Sequence, residues 1–395
     1  MRKLSEVLIA HYCAILYNIP MLSFKPNLKL ERELKKLESL LVEKYSELYK
    51  LKSEEKAYIE KQALISNVGA STRIENAVLT DIEVEWVDTT LTKDGKTTAF
   101  EAKKNYILNK LSKDRERSVE EVVGCREILL TIYSQYKELF PLTEATIRGL
   151  HSDLLKYYKK AERYKGSYKT SANKVISINH STGEEKVVLE PASPGILTKT
   201  AMADLISWYN KTIHEYTHPI LVATEFNFRF LAIHPFQDGN GRLGRALFLL
   251  ALLQSEDKYL SHIVSQIAID RHIEQRRAEY YSILHKISGG KFHQDPQKYN
   301  LEPLSWFFIK VIEESLTDIE TYKSKYKNLI KLSEASLKVL NCFKLSPEKR
   351  IQVMELEKEI KLPRRTIQYS LKALTEKGFL QKTGEGAGSR YQLVF

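Results

Sequence analysis

The sequence predicts a mainly α-helical protein with one isolated β-hairpin and a small helix-and-strand unit at its C-terminus. Three observations predict it. Apolar residues recur at three- and four-residue spacing over most of the chain. Strict alternation is confined to two short segments between residues 174 and 190. From Lys331 onward the pattern becomes three helices and two short strands, with 13 Lys and Arg against 7 Asp and Glu.

At about 150 residues per domain, 395 residues suggest two or three domains. A hydrophobic content of 43%, with 10% aromatics, excludes a wholly disordered chain. Cys13, Cys125 and Cys342 are too few and too scattered for a disulfide framework or a zinc cluster, and they fit a reducing cytoplasm. Mean hydropathy is −0.35. The longest apolar run, Ala246 to Leu253, is far short of the roughly 20 residues that span a bilayer, so no membrane partner is expected. The net charge of +11 favours anionic partners, and more than half of that excess lies in the C-terminal unit.

Taken in order, Arg2 and Lys3 precede an apolar stretch from Val7 to Leu22 that resembles an export signal. Polar residues interrupt it and no small-residue cleavage site follows, so a short helix stopped before Pro20 is expected instead. Leu28 to Lys61 reads as one charged helix with a leucine stripe, packed on the body or forming a coiled-coil arm. A further helix is expected through Ala63 to Leu79. Others follow at Val119–Lys137, Thr143–Tyr158, Thr198–Tyr216, Pro219–Ile233, from about Gly241, Ile273–Ser288 and Pro303–Leu316. Lys174–Asn179 and Lys186–Glu190 flank a glycine-containing polar turn and read as the hairpin. Domain limits are expected at 1–60, 61–316, a linker at 317–332, and 333–395. The last of these has the pattern of a winged helix-turn-helix.

The chemistry concentrates in IHPFQDGNGRLGR, residues 233–245. Pro235 disfavours the α conformation at His234, which places that histidine at a helix end. Gly239 and Gly241 bracket Asn240, residue types that tolerate left-handed backbone and can aim several N–H groups at one anion. A helix opening near Gly241 adds its positive end. Arg242 and Arg245 lie three apart on that helix and can fork onto phosphate oxygens. Asp238 supplies one hard oxygen for a Mg²⁺ shared with phosphates. Singly, such residues usually make turns, helix ends and solvated surfaces. Here every element converges on one phosphate seat beside one titratable base, with no activated Cys or Ser. The implied reaction transfers a phosphorus group to an acceptor that His234 deprotonates.

The segment HPFQDGNGRLGR resembles the Fic family motif H-P-F-x-[D/E]-G-N-G-R-x-x-R at every specified position. Leu142–Leu155 and the following YKGSYK resemble the family's upstream helix and G-x-Y-R turn, with Lys169 in place of the usual Arg. The resemblance implies a Fic helical core with the hairpin as its flap, and transfer of AMP from ATP to a Ser, Thr or Tyr hydroxyl of a protein. It implies His234 as base, Asp238 as Mg²⁺ ligand, and Gly239, Asn240, Gly241, Arg242, Leu243, Gly244 and Arg245 around the phosphates, with Arg245 on the γ-phosphate. Tyr281 is expected near the adenine, or else as an ordinary core tyrosine.

ASTRIENAVLT similarly resembles the family's inhibitory motif S/T-x-x-x-E-G/N, carried by Ser71, Glu75 and Asn76. The implied brake is Glu75 pairing with Arg245; in some relatives the same glutamate supports AMP removal. The hairpin, through Val175, Ile176, Val187 and Val188, is expected to pair with an extended target segment. Self-modification and a homodimer stay open. In the C-terminal unit Arg364, Arg365, Gln368 and Lys372 share the expected recognition helix, with DNA or a protein as partner. The rival overall reading is a transcriptional regulator whose nucleotide site senses without turnover.

Overall fold

The computed structural model describes residues 22–93, 96–111, 113–178, 185–345 and 349–394. The helix expected before Pro20 and the hairpin's turn lie outside them. The helices are α1 (Leu28–Tyr49), α2 (Ser53–Ile74), α3 (Asp81–Leu91), α4 (Phe100–Leu111), α5 (Glu116–Gln135), α6 (Glu144–Leu154), α7 (Ile196–Thr212), α8 (Pro219–Ile233) and α9 (Asn240–Gln254). They continue as α10 (Leu260–Ile263), α11 (Ile269–Gln275), α12 (Arg277–Ser288), α13 (Glu302–Ser315), α14 (Thr317–Ile330), α15 (Glu334–Lys344), α16 (Val353–Glu359) and α17 (Arg364–Glu376). The strands are β1 (Thr92–Lys93), β2 (Lys96–Thr97), β3 (Val175–Ile178), β4 (Glu185–Leu189), β5 (Ile351–Gln352), β6 (Leu380–Thr383) and β7 (Arg390–Leu393).

Helices α8 and α9 form the centre. Both are apolar on nearly all sides because other helices surround them. Gly244 lets them approach closely: a Cβ there would lie 2.9 Å from Leu231 Cδ2. Asn227 Nδ2 donates to Gly244 O at 2.8 Å and ties the pair. Charged α1 lays its stripe of Leu30, Leu34, Leu37, Leu41 and Leu48 on this body. Asn27 caps it, accepting from Lys29 and Leu30 N–H.

Four expectations are corrected. Leu28–Lys61 is not one helix. The chain breaks at Lys50–Lys52, where extended Lys52 restarts it as α2. The reason is tertiary: α1 lies on the surface with one buried stripe, whereas α2 from Ala63 to Ile74 is buried on most sides, and one straight rod cannot do both. The expected boundary at residue 60 therefore falls inside α2. The expected linker is largely helix α14, with Ile319 and Tyr322 in the main core and Tyr322 Oη donating to Ser66 Oγ at 3.1 Å. Ile273–Ser288 is two helices, broken at Arg276.

The C-terminal residues form a second core around Leu340, Phe343, Leu356, Ile367, Leu371 and Leu374. Their order is helix, strand, helix, helix, strand, strand, and the antiparallel sheet runs β5–β7–β6. Strand β5 was not foreseen; two residues carry no readable period. Ile82 of α3 and Leu329 of α14 pack against this core, and Lys344 pairs with Glu85 at 2.9 Å.

Candidate active site

The loop between α8 and α9 takes the shape its sequence dictates. His234 caps α8 in the left-handed region (φ 50°), and Gly239 precedes α9 at φ 79°. The first N–H groups of α9 have no acceptor within the helix and point its positive end at the same place. Asn240 holds the loop closed: its Oδ1 accepts from Phe236 N at 2.9 Å and its Nδ2 donates to Phe236 O at 2.8 Å. Both ends of its side-chain amide are thus used inside the loop, which leaves its backbone N–H as the group that faces an anion. Leu243 and Gly244 are corrected. Leu243 is fully buried and Gly244 meets Leu231, so both serve helix packing.

His234 is half-buried at the cleft wall. Its Nδ1 donates to Leu231 O at 3.3 Å, which leaves the Nε2 lone pair available. Burial, and then the neighbouring Lys169 charge, push its pKa down to about 4 against opposing pulls from Leu231 O, Glu75 and Asp238. It is neutral at neutral pH, as a base must be. Lys169 Nζ donates to Ile233 O at 3.1 Å and Asn173 Oδ1 at 2.9 Å, so it caps the end of α8; burial lowers its pKa to about 8.

Arg245 is buried and fully engaged by α2. Its Nε donates to Ser71 Oγ at 3.0 Å and its Nη2 to Ser71 O at 2.7 Å. Both Nη groups close on one oxygen, Glu75 Oε1, at 3.0 Å each. Burial works against the Arg245 charge, but Glu75 and Asp270 outweigh it and raise its pKa. Glu75 is the C-cap of α2, and Asn76 follows in the left-handed region (φ 73°), accepting from Arg277 Nη2 at 2.9 Å. Arg73 fixes this helix end through a two-bond fork to Glu274 and an ion pair with Asp81 at 2.9 Å.

Around Glu75, His234, Gly241 and Arg245 the cleft is closed by Val175, Val188, Leu189, Phe228, Leu231, Tyr280 and Tyr281. Its free volume is about 60 Å³, against about 300–1,000 Å³ for ordinary ligand sites. Tyr281 lines this cleft. Buried Tyr280, which sequence reasoning passed over, lines it too, and its hydroxyl has no hydrogen-bond partner among the described residues.

At the rim, Arg242 is buried, yet its Nε and Nη1 have no hydrogen-bond partner among the described residues. It lies 3.4 Å from both Asp238 and Glu121. Arg117, also unforeseen, pairs with Glu121 at 2.8 Å and Asp238 at 3.5 Å. The Nε–H left open in this buried guanidinium suits a phosphate.

The hairpin pairs Ile176 with Val187 and Ile178 with Glu185. The expectation that four of its residues meet a target is corrected by alternation: Val175 and Val188 face the cleft, while Ile176 and Val187 are exposed. The outer side of β4 is occupied, because His285 Nδ1 donates to Val188 O at 2.9 Å and Glu190 bridges Lys291. Arg364, Arg365, Gln368 and Lys372 all lie exposed on α17, opposite buried Ile367, Leu371 and Leu374.

Residues 141–252 match the model of the Fic/DOC family. A 137-residue stretch is 28% identical to protein adenylyltransferase fic-1 of Caenorhabditis briggsae, covering 34% of this chain and 23% of that protein. A 169-residue stretch is 25% identical to its counterpart in Caenorhabditis elegans, covering 43% and 28%. The chain thus matches about a quarter of the length of these curated relatives. The fold is similar to a Fic family protein from Desulfovibrio desulfuricans G20, with TM-score 0.52 and 18% identity over 95% of this chain and 98% of that one. It is also similar to a Fic domain containing signaling protein from Bacteroides thetaiotaomicron VPI-5482, with TM-score 0.50 and 25% identity over 73% and 98%. Residues 141–252 are the part of the fold that contains the α8–α9 loop. The chain carries a Fic domain.

Proposed function

We propose that this chain is an autoinhibited protein adenylyltransferase. The observation that carries the reading is Arg245, pinned by Glu75 and Ser71 beside a neutral His234. ATP is the substrate. A Ser, Thr or Tyr hydroxyl of a protein gives its proton to His234 Nε2 as its oxygen attacks the α-phosphorus. The bond to the bridging oxygen breaks and pyrophosphate leaves. Positioning and charge stabilisation, with one base, suffice for this chemistry. The N–H groups at the start of α9 and the Arg242 guanidinium, with its open Nε–H, would hold the phosphates. Arg245, once released, would hold the γ-phosphate.

Mg²⁺ fits at Asp238. Among the described residues no cluster of three His, Cys, Asp or Glu builds a metal cage, so a cation would be shared between this half-exposed carboxylate and the phosphates. Bound there, it would neutralise phosphate charge.

The free edge of β3 is the docking strand for an extended target segment, since β4 is already paired on its outer side. The C-terminal unit has the element order of a winged helix. Its exposed basic face on α17 favours a second, DNA-binding role and keeps the regulator reading alive. Incubation with α-labelled ATP tests the whole. Glu75→Gly should label protein strongly, wild type weakly and His234→Ala not at all. A Glu75→Gly protein that binds nucleotide and labels nothing would support the sensor instead.

A further inference from the structure

His151 lies on α6, outside the motif, and is completely buried. Both ring nitrogens serve backbone groups. Gly166 N–H donates to Nδ1 at 2.9 Å, so Nδ1 is the acceptor and Nε2 carries the proton. Nε2–H then donates to Asp238 O at 2.9 Å. The ring also stacks on Phe236, with centroids 3.8 Å apart and planes at 11°. One neutral imidazole therefore ties three points together: the turn at Gly166, the floor of the catalytic loop at Phe236, and the peptide that joins Asp238 to Gly239.

We propose that His151 is a positioning residue for the Asp238–Gly239 peptide, and through it for the Asp238 carboxylate and the N–H groups opening α9. Gly239 N–H donates to Asp238 Oδ1 at 2.6 Å, so the peptide and the carboxylate are one rigid unit. Gly239 has the left-handed backbone that its place before α9 requires, with His151 Nε2 packed 3.5 Å from where a Cβ would stand. Without the Nε2–H bond the carbonyl of Asp238 is free to rotate, and the carboxylate turns with it. Partners of this indirect kind typically set metal affinity by 10- to 100-fold.

The activity readout of this inference rests on the adenylyltransferase reading; the exchange readout does not. In the Glu75→Gly chain, His151→Phe keeps the ring and its stacking but removes both hydrogen bonds. His151→Gln places an amide N–H where Nε2–H was. The measurements are calorimetric binding of Mg·ATP, KM and kcat for AMP transfer, and amide exchange across residues 234–245. His151→Phe should weaken Mg·ATP binding by about tenfold or more, lower kcat, and speed exchange locally in that loop. His151→Gln should recover most of each. Binding and exchange unchanged in His151→Phe would overturn the proposal, as would equal damage in both variants, which would mark plain packing. A Glu75→Gly parent that takes up no Mg·ATP would instead strike the functional reading, and the exchange comparison would still decide the role of His151.

Discussion

Glu75 Oε1 stands 2.1 Å from the point a β-carbon on residue 241 would occupy, so Gly241 and Glu75 share one small space. The Glu75 carboxylate therefore rests against the start of α9 as well as on Arg245. Anything else that occupies that space has to displace it.

Removing the carboxylate should release the site. The Arg245–Glu75 contact is a charge-assisted pair worth about 1.5–3 kcal/mol, which converts to roughly a 10- to 100-fold gain. Glu75→Gly should raise AMP incorporation from α-labelled ATP by that order. Adding Gly241→Ala should abolish the gain, because the methyl fills the vacated space; Mg·ATP binding by calorimetry distinguishes blocked binding from slow chemistry. Incorporation at the wild-type level in Glu75→Gly would refute the brake.

The pH dependence follows from His234. Its pKa is lowered from 6.5 to about 4, so the base stays unprotonated through the neutral range. Transfer should hold level from about pH 8 to about 5.5 and fall only below that, instead of declining through 6.5. Lys169→Gln keeps a donor for Ile233 O and removes the charge that helps depress His234, so it should move the acid limb upward. Stability follows the same sign. His234 and His151 both titrate near 4 when folded and near 6.5 when unfolded. Between those values the unfolded chain binds more protons, so stability declines as pH falls from 6.5 to 4. Thermal melts should show this, with a shallower slope in His151→Gln.

A proline in β3 separates docking from chemistry. Ile176 faces outward, away from the nucleotide cleft, and a proline there breaks β3 and with it the edge offered to a target. Target modification should drop by at least about tenfold while Mg·ATP affinity stays within a factor of two or so. Parallel loss of both would argue against the strand-pairing role.

The exposed face of α17 makes a salt-sensitive prediction. If it binds duplex DNA, Arg364→Ala with Arg365→Ala should weaken binding and reduce the salt slope by about 2. Fluorescence anisotropy from low to high salt reads both quantities. A wild-type chain with no duplex affinity at low salt would assign this face to a protein partner.

The loop was legible because its conformation is local. Proline after His234 and glycine at 239 set the backbone wherever the chain folds, and the arginines follow three residues apart on the next helix. Glu75 was legible through the resemblance of ASTRIENAVLT to an inhibitory motif, and the structure adds that Asn76 is the left-handed residue after the end of α2. What escaped notice is long-range. His151 meets Asp238 across 87 residues and Arg117 meets it across 121, and neither position stands out from its neighbours in sequence. The side-chain amide of Asn240 has a task its sequence position did not announce, because only the closed loop shows both of its ends bonded to Phe236. The break at Lys50–Lys52 and the helical nature of 317–330 are set by what each segment packs against, which no periodicity announces.

Helix α2 has a practical consequence for dissecting the molecule. It runs without interruption from Ser53 to the glutamate that grips Arg245, so the arm before it and the inhibitory tip are ends of adjoining rods with a single joint between them. An excision at residue 61 would start the chain two turns into the rod and strip Ile59 from the interior. A cut at Lys50–Lys52 would preserve every turn that presents Glu75. Shortened versions made at these two places should differ in basal labelling, although they differ by only about ten residues, none of which touches the nucleotide cleft.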